Sequence, residues 1–123
     1  MELLKYTFDN DRPIYVQIVE RLKLDVLNGK YLPGSKMPSV RELALLFNVN
    51  PNTMQKAMGE LEEVGLIKTV RTAGRYVTED KKLISNIRNG NAKKLLKNYF
   101  EGMLELGYDK NQSSEFVKKE GDK

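Results

Sequence analysis

The chain has 123 residues, no cysteine, no histidine and a formal net charge of +4. That length holds one compact domain and a modest extension. The missing cysteines exclude disulfides, thiolate metal sites and a Cys nucleophile, and the missing histidines remove the usual general base, the usual zinc ligand and the Ser-His-Asp arrangement. No apolar run approaches the roughly 20 residues that span a bilayer, and the opening MELLKYTFDNDRP lacks a signal-peptide core, so the expectation is a cytoplasmic protein with no membrane partner.

The charge is unevenly spread. Residues 1–80 carry 11 basic and 11 acidic side chains and are neutral, while residues 81–123 carry 10 and 6. Bulk charge therefore says nothing about the first part of the chain. Local placement says more: Lys36, Arg41, Lys56, Lys68, Arg71 and Arg75 are cationic, and no acid occurs from Val64 to Thr78.

In chain order, a short lead-in with room for a strand precedes Pro13, which opens a helix carrying Ile14, Ile18, Leu22 and Val26 and closing at Asn28-Gly29. Pro33-Gly34 marks a turn. The next helix starts in PSVRE, where Ser39 as N-cap and Glu42 three residues on form a capping box, and Val40, Leu43, Leu46 and Phe47 supply the apolar stripe. Asn48 and Val49 alone separate it from the next cap, Asn50. Asn48 suits so short a turn because Asn tolerates the left-handed conformation.

The third helix lies in NVNPNTMQKAMGELEEVG. Met54, Ala57, Met58, Leu61 and Val64 form its buried stripe, Asn50 caps it and Pro51 occupies the first helical position. Asn52, Thr53, Gln55 and Lys56 project from the first two turns, and Glu60, Glu62 and Glu63 fall in the last two. Carboxylates there oppose the helix dipole, so the order suits a polyanion at the N-terminal end. Gly65 ends the helix, and LIKTVRTAGRYVT reads as two short strands around Thr72-Ala73-Gly74. Three helices and a hairpin make a winged helix-turn-helix, whose third helix enters a groove of double-stranded DNA.

Beyond Asp80 the chain becomes helical and Lys-rich, with Asn89-Gly90-Asn91 as an expected break. Ala92, Leu95, Leu96, Tyr99, Phe100, Met103 and Leu104 then form a wide stripe ending at Gly107, and a further short helix starts at Ser113 or Ser114 with Phe116 and Val117. The tail is too small to bury these residues against itself. They must meet either the head or a second copy, and the favoured partner is the second copy, with Leu95, Leu96, Tyr99, Phe100, Met103 and Leu104 at the interface of a homodimer. The fold class is thus mainly α with a small β-hairpin: a winged helix-turn-helix domain over 1–79 and a helical dimerisation extension over 80–123.

The stretch from Pro13 to Val77 resembles the DNA-binding domain of GntR-family bacterial transcription regulators. The matching pieces are P-I-Y-x-Q-I, G-x-x-x-P-G-x-x-x-P-S-V-R-E-L-A, V-N-P-N-T and L-E-x-x-G-L-I, in that order and spacing. With the short helical tail, V-N-P-N-T looks most like the YtrA-type branch, whose members lack a large effector-binding domain and are often linked to transporter operons. The resemblance implies DNA contacts from Ser39 and Arg41, from Asn50, Pro51, Asn52, Thr53 and Gln55, and from the wing between Arg71 and Arg75, Gly74 included. Relatives commonly read R-G-x-G-T-F-V in the wing, where this chain reads R-T-A-G-R-Y-V. Thr72 for Gly restricts the approach of the turn to the minor groove, and Arg75 for Thr offers a phosphate or minor-groove contact in return.

These residue types suit the task. Asn52 or Gln55 can pair bidentately with adenine, Thr53 can serve a phosphate or a thymine methyl, and Arg41 and Lys56 suit guanine or phosphate. The reading is a homodimeric repressor on a pseudo-palindromic operator, without cofactor or metal, and with no effector assigned. Its alternative is a winged-helix module that binds protein without specific DNA affinity. An enzyme is not expected: Glu62 and Glu63 diverge by about 100° around the helix and share no substrate.

Overall fold

A computed structural model of the chain describes residues 7–122. It contains five helices and one hairpin: α1 (Ile14–Leu27), α2 (Val40–Phe47), α3 (Pro51–Glu63), β1 (Ile67–Val70), β2 (Gly74–Val77), α4 (Lys81–Glu105) and α5 (Lys110–Glu120). The chain divides into two compact units, residues 1–85 and 86–123. The first turn of α4 belongs to the first unit, where Ile84 is buried.

In that unit α1, α2 and α3 close on a core of Ile18, Leu22, Leu43, Phe47, Met54, Met58 and Leu61, with Leu66 just before the hairpin and Val77 at its end. Each helix end has a local cause. Ser39 and Glu42 form the reciprocal capping box, both bonds at 3.0 Å. Asn48 ends α2 in the left-handed conformation, φ 56°, ψ 51°. Its N–H bonds back to Ala44 and Leu45, so the turn into α3 needs no glycine. Asn50 then accepts the Asn52 N–H at 2.7 Å, with Pro51 behind it.

The hairpin pairs Ile67 with Val77 and Val70 with Gly74 in antiparallel register. It has a third participant that periodicity did not show. Lys36 forms a bridge with Tyr76, Met37 N–H donates to Arg75 O at 2.8 Å, and Val77 N–H donates to Ser35 O at 2.8 Å. A single bridging residue leaves no period-2 pattern to read.

Several expectations are corrected. Residues 7–13 form no strand, and the earlier part of the lead-in lies outside the described residues. The backbone groups a strand would need are taken by Gln17, whose amide accepts the Asp9 N–H and donates to the carbonyls of Asp9 and Arg12. Phe8 stacks on Phe47, 6.3 Å between centroids. Ile14, Leu46 and Val64, expected in the buried stripes, are exposed. Ile14 and Val64 stand at helix ends, and in α2 Ala44 takes the inward place assigned to Leu46.

Asn89-Gly90-Asn91 is no break: α4 runs through it for 25 residues. One Gly and two Asn in an exposed helix cost about 2 kcal/mol together, too little to stop a helix that continues on both sides without a proline. α5 begins at Lys110, three residues before the expected Ser113, because Asp109 and Gln112 form a second capping box. Met103 and Ser113 are buried within the tail unit, and Tyr99 Oη donates to Ser113 O at 2.8 Å.

Candidate nucleic-acid interface

Two exposed polar patches and the hairpin carry the residues singled out in the sequence. The first is the N-terminal tip of α3. Met54, Ala57, Met58 and Leu61 are fully buried, so the helix is fixed in rotation. Asn50, Pro51, Asn52, Gln55 and Lys56 are then exposed and Thr53 is half-buried. The side chains of Asn52 and Gln55 offer amide donors and acceptors, the pattern that fits a base edge. Lys56 is held differently: its Nζ lies 3.8 Å from the centroid of the Tyr15 ring, a cation–π contact that ties the side chain back to α1.

The second patch is an open cleft of about 420 Å³ between the start of α2 and the wing. Ser39, Arg41, Gly74 and Arg75 meet there, with Lys36, which the motifs did not single out as a contact. The Ser39 hydroxyl oxygen accepts from Glu42 N–H. Glu42 stays ionised, held below the ordinary glutamate range first by the backbone N–H of Ser39, then by its side chain, with a smaller contribution from Lys36. The exposed Arg41 guanidinium and Lys36 ammonium make the cleft cationic.

Gly74 has φ 105°, so the turn needs glycine for its backbone angle, whereas a Cβ there, 3.2 Å from Lys36 Cε, would meet only the movable end of a lysine. Arg71 and Thr72 are exposed at the turn. Thr72 itself takes φ 66°, the conformation a glycine would adopt without penalty.

Arg75 is not free at the wing. Its Nε donates to Glu62 Oε1 at 2.7 Å, and its side chain is only 20% exposed. Thr69 Oγ1 donates to the same oxygen at 2.9 Å. Arg75 and Thr69 hold the Glu62 carboxyl below its ordinary range, against a smaller opposing effect of burial. The role of Glu62 was missed in the sequence, since an acid in the last turn of a helix is one the dipole does not favour, but its position names no partner.

No group of His, Cys, Asp or Glu that could hold a metal occurs among the described residues, and no described helix is long and apolar enough to cross a membrane.

A three-helix unit with a helix-turn-helix, a basic cleft and a wing defines the winged-helix class of DNA-binding proteins. Residues 14–77 match the profile of the bacterial regulatory proteins of the gntR family. The chain belongs to that family. It is 33% identical over 111 residues to the uncharacterized HTH-type transcriptional regulator YhcF of Bacillus subtilis, covering 90% of this chain and 92% of that protein. It is 50% identical over 70 residues to the HTH-type transcriptional repressor YtrA of the same organism, covering 57% of this chain and 54% of the repressor. Among solved structures, a GntR family transcriptional regulator from Listeria monocytogenes superposes with a TM-score of 0.83 at 46% identity, over 91% of this chain and 98% of that one. The AraR DNA-binding domain in complex with operator ORX1 superposes with a TM-score of 0.57 at 32% identity, over 61% of this chain and 96% of that one. These relatives are regulators, and the chain is a regulatory protein rather than an enzyme.

Proposed function

We propose that the chain is a sequence-specific DNA-binding transcriptional repressor that acts as a homodimer on a pseudo-palindromic operator. The observation that carries this reading is the α3 tip: a polar, uncharged surface of Asn50, Asn52, Thr53 and Gln55, fixed from behind by fully buried Met54, Ala57 and Met58. Asn52 and Gln55 read base edges, and Thr53 takes a phosphate or a thymine methyl. Ser39 and Lys36 grip phosphate in the cleft, Arg41 pairs with a guanine beside it, and Arg71 follows the backbone from the wing. The AraR domain, similar over this part of the chain, is solved on operator DNA, which supports the same mode here.

The tail supplies the second copy. Leu95, Leu96 and Leu104 are exposed, at 71%, 54% and 67%, on a unit that buries Met103 and ties Tyr99 internally. An apolar row of this kind is the natural seat of a two-fold interface. The likeness to the repressor YtrA makes repression the expected outcome of binding, and the resemblance to the YtrA-type branch is what suggests a transporter operon as the target. Nuclease footprinting on DNA upstream of the chain's own gene tests the proposal. Two protected half-sites about one helical turn apart, or a multiple of it, support a dimer on a palindrome. Uniform or absent protection there, together with capture of a protein partner insensitive to salt, speaks for a protein-binding module.

A further inference from the structure

At its base the wing is held by main-chain hydrogen bonds from Val77 N–H to Ser35 O and from Thr78 N–H to Leu66 O, and one more, from Met37 N–H to Arg75 O, reaches β2 alone at the Arg75 rung. Toward the turn it leaves the core, and Lys68, Thr69 and Val70 are all exposed. Two strands of four residues have little stability of their own. One side-chain oxygen grips both: Glu62 Oε1 accepts from Arg75 Nε at 2.7 Å and from Thr69 Oγ1 at 2.9 Å. Thr69 and Arg75 are register partners, one rung from the Val70–Gly74 rung that closes the turn. The last turn of α3 is thus fastened to both strands just before the turn that meets DNA in the reading above.

A carboxylate in that place gains nothing from the helix dipole and repels a polyanion. Its use is to hold Arg75. With one donor of the guanidinium committed and the side chain four-fifths covered, Arg75 is poorly placed to follow a phosphate.

We propose that Glu62 is a positioning residue which, through Arg75 and Thr69, fixes the angle of the wing on α3, and that Arg75 serves DNA binding through this tie rather than by touching DNA. The inference rests on the DNA-binding function proposed above. It has a consequence of unexpected sign. Removing the negative charge of Glu62 strengthens binding if charge alone matters, but weakens it if the tie orders the wing, because a loose hairpin must be ordered at each binding event.

The test uses the full chain and a labelled duplex from upstream of its own gene, over a salt series. Glu62→Gln and Arg75→Gln are each expected to weaken binding about three- to tenfold, with a double variant no worse than either single one. The slope of log affinity on log salt stays as in the unsubstituted chain. The exchange Glu62→Arg with Arg75→Glu recovers part of the loss. Thr69→Val, which leaves all charges in place and removes one hydrogen bond, weakens binding in the same direction by less and serves if the charge variants fail to fold. Unchanged or tighter binding by Glu62→Gln, with Arg75→Gln reducing the slope by about 0.9, makes Arg75 a phosphate contact and overturns the proposal. Equal affinity in all variants overturns it too. No binding by the unsubstituted chain defeats the DNA reading and the positioning role together, whereas binding with the wrong pattern among variants defeats the positioning role alone.

Discussion

Thr72 shows how much one dihedral angle decides. A β-branched residue at φ 66° stores strain that glycine does not. Thr72→Gly is therefore expected to stabilise the fold by about 1 kcal/mol, the relief of strain exceeding the extra chain entropy of glycine, and thermal unfolding reads it. Loss of stability would mean that Thr72 makes a contact worth more than its strain. Arg41 is exposed beside the cleft, and Arg41→Ala is expected to cost about 1–3 kcal/mol of binding and to relax preference at one operator position. A uniform loss over all sequences would make it a phosphate clamp. The exposed α3 tip and the capping box of α2 were legible from residue types, since amides at a helix tip and a Ser-Glu capping box carry their geometry in the sequence. Arg75 was not, because its partner Glu62 lies 13 positions away and only the folded hairpin brings the two together.

At the level of elements, the helices with caps were the legible ones, and α1, α2 and α3 end where Asn28, Asn48 and Gly65 suggested. The misjudged places share one cause: a weak local signal outvoted by its surroundings. Asn89-Gly90-Asn91 resembles a turn, yet α4 passes through because nothing else in the segment opposes a helix. A Cβ at Gly90 would meet no atom within 4 Å, so Gly90→Ala is expected to raise stability by about 1 kcal/mol without touching DNA affinity. A drop in stability or in binding would show that the helix needs its glycine. Buried Asp25 is the converse case. Its carboxylate is paired by Arg21 at 2.7 Å and approached by Lys30 at 3.8 Å, and no periodicity argument finds a charge in a core.

On the scale of the whole molecule, the tail explains why so small a unit carries so many exposed leucines. The sequence grouped Leu95, Leu96, Tyr99, Phe100, Met103 and Leu104 as one surface, and the structure separates them. Tyr99 and Met103 serve the unit's own packing with Ser113, while Leu95, Leu96 and Leu104 remain outward. Helical spacing cannot make that division, since it marks an apolar face without saying whose surface covers it. Replacing Leu96 and Leu104 by glutamate is expected to convert a dimer to a monomer in sedimentation and to weaken operator binding by at least tenfold through loss of the second head. A dimer that persists would move the interface elsewhere. The most direct measurement is the affinity of the purified chain for DNA from upstream of its own gene against scrambled DNA of the same length, from low to physiological salt. Preference for the upstream fragment, with affinity falling linearly on a log-log salt plot, is the expected result. No binding to either fragment at low salt would contradict the reading of the α3 tip, the cleft and the wing as a DNA interface.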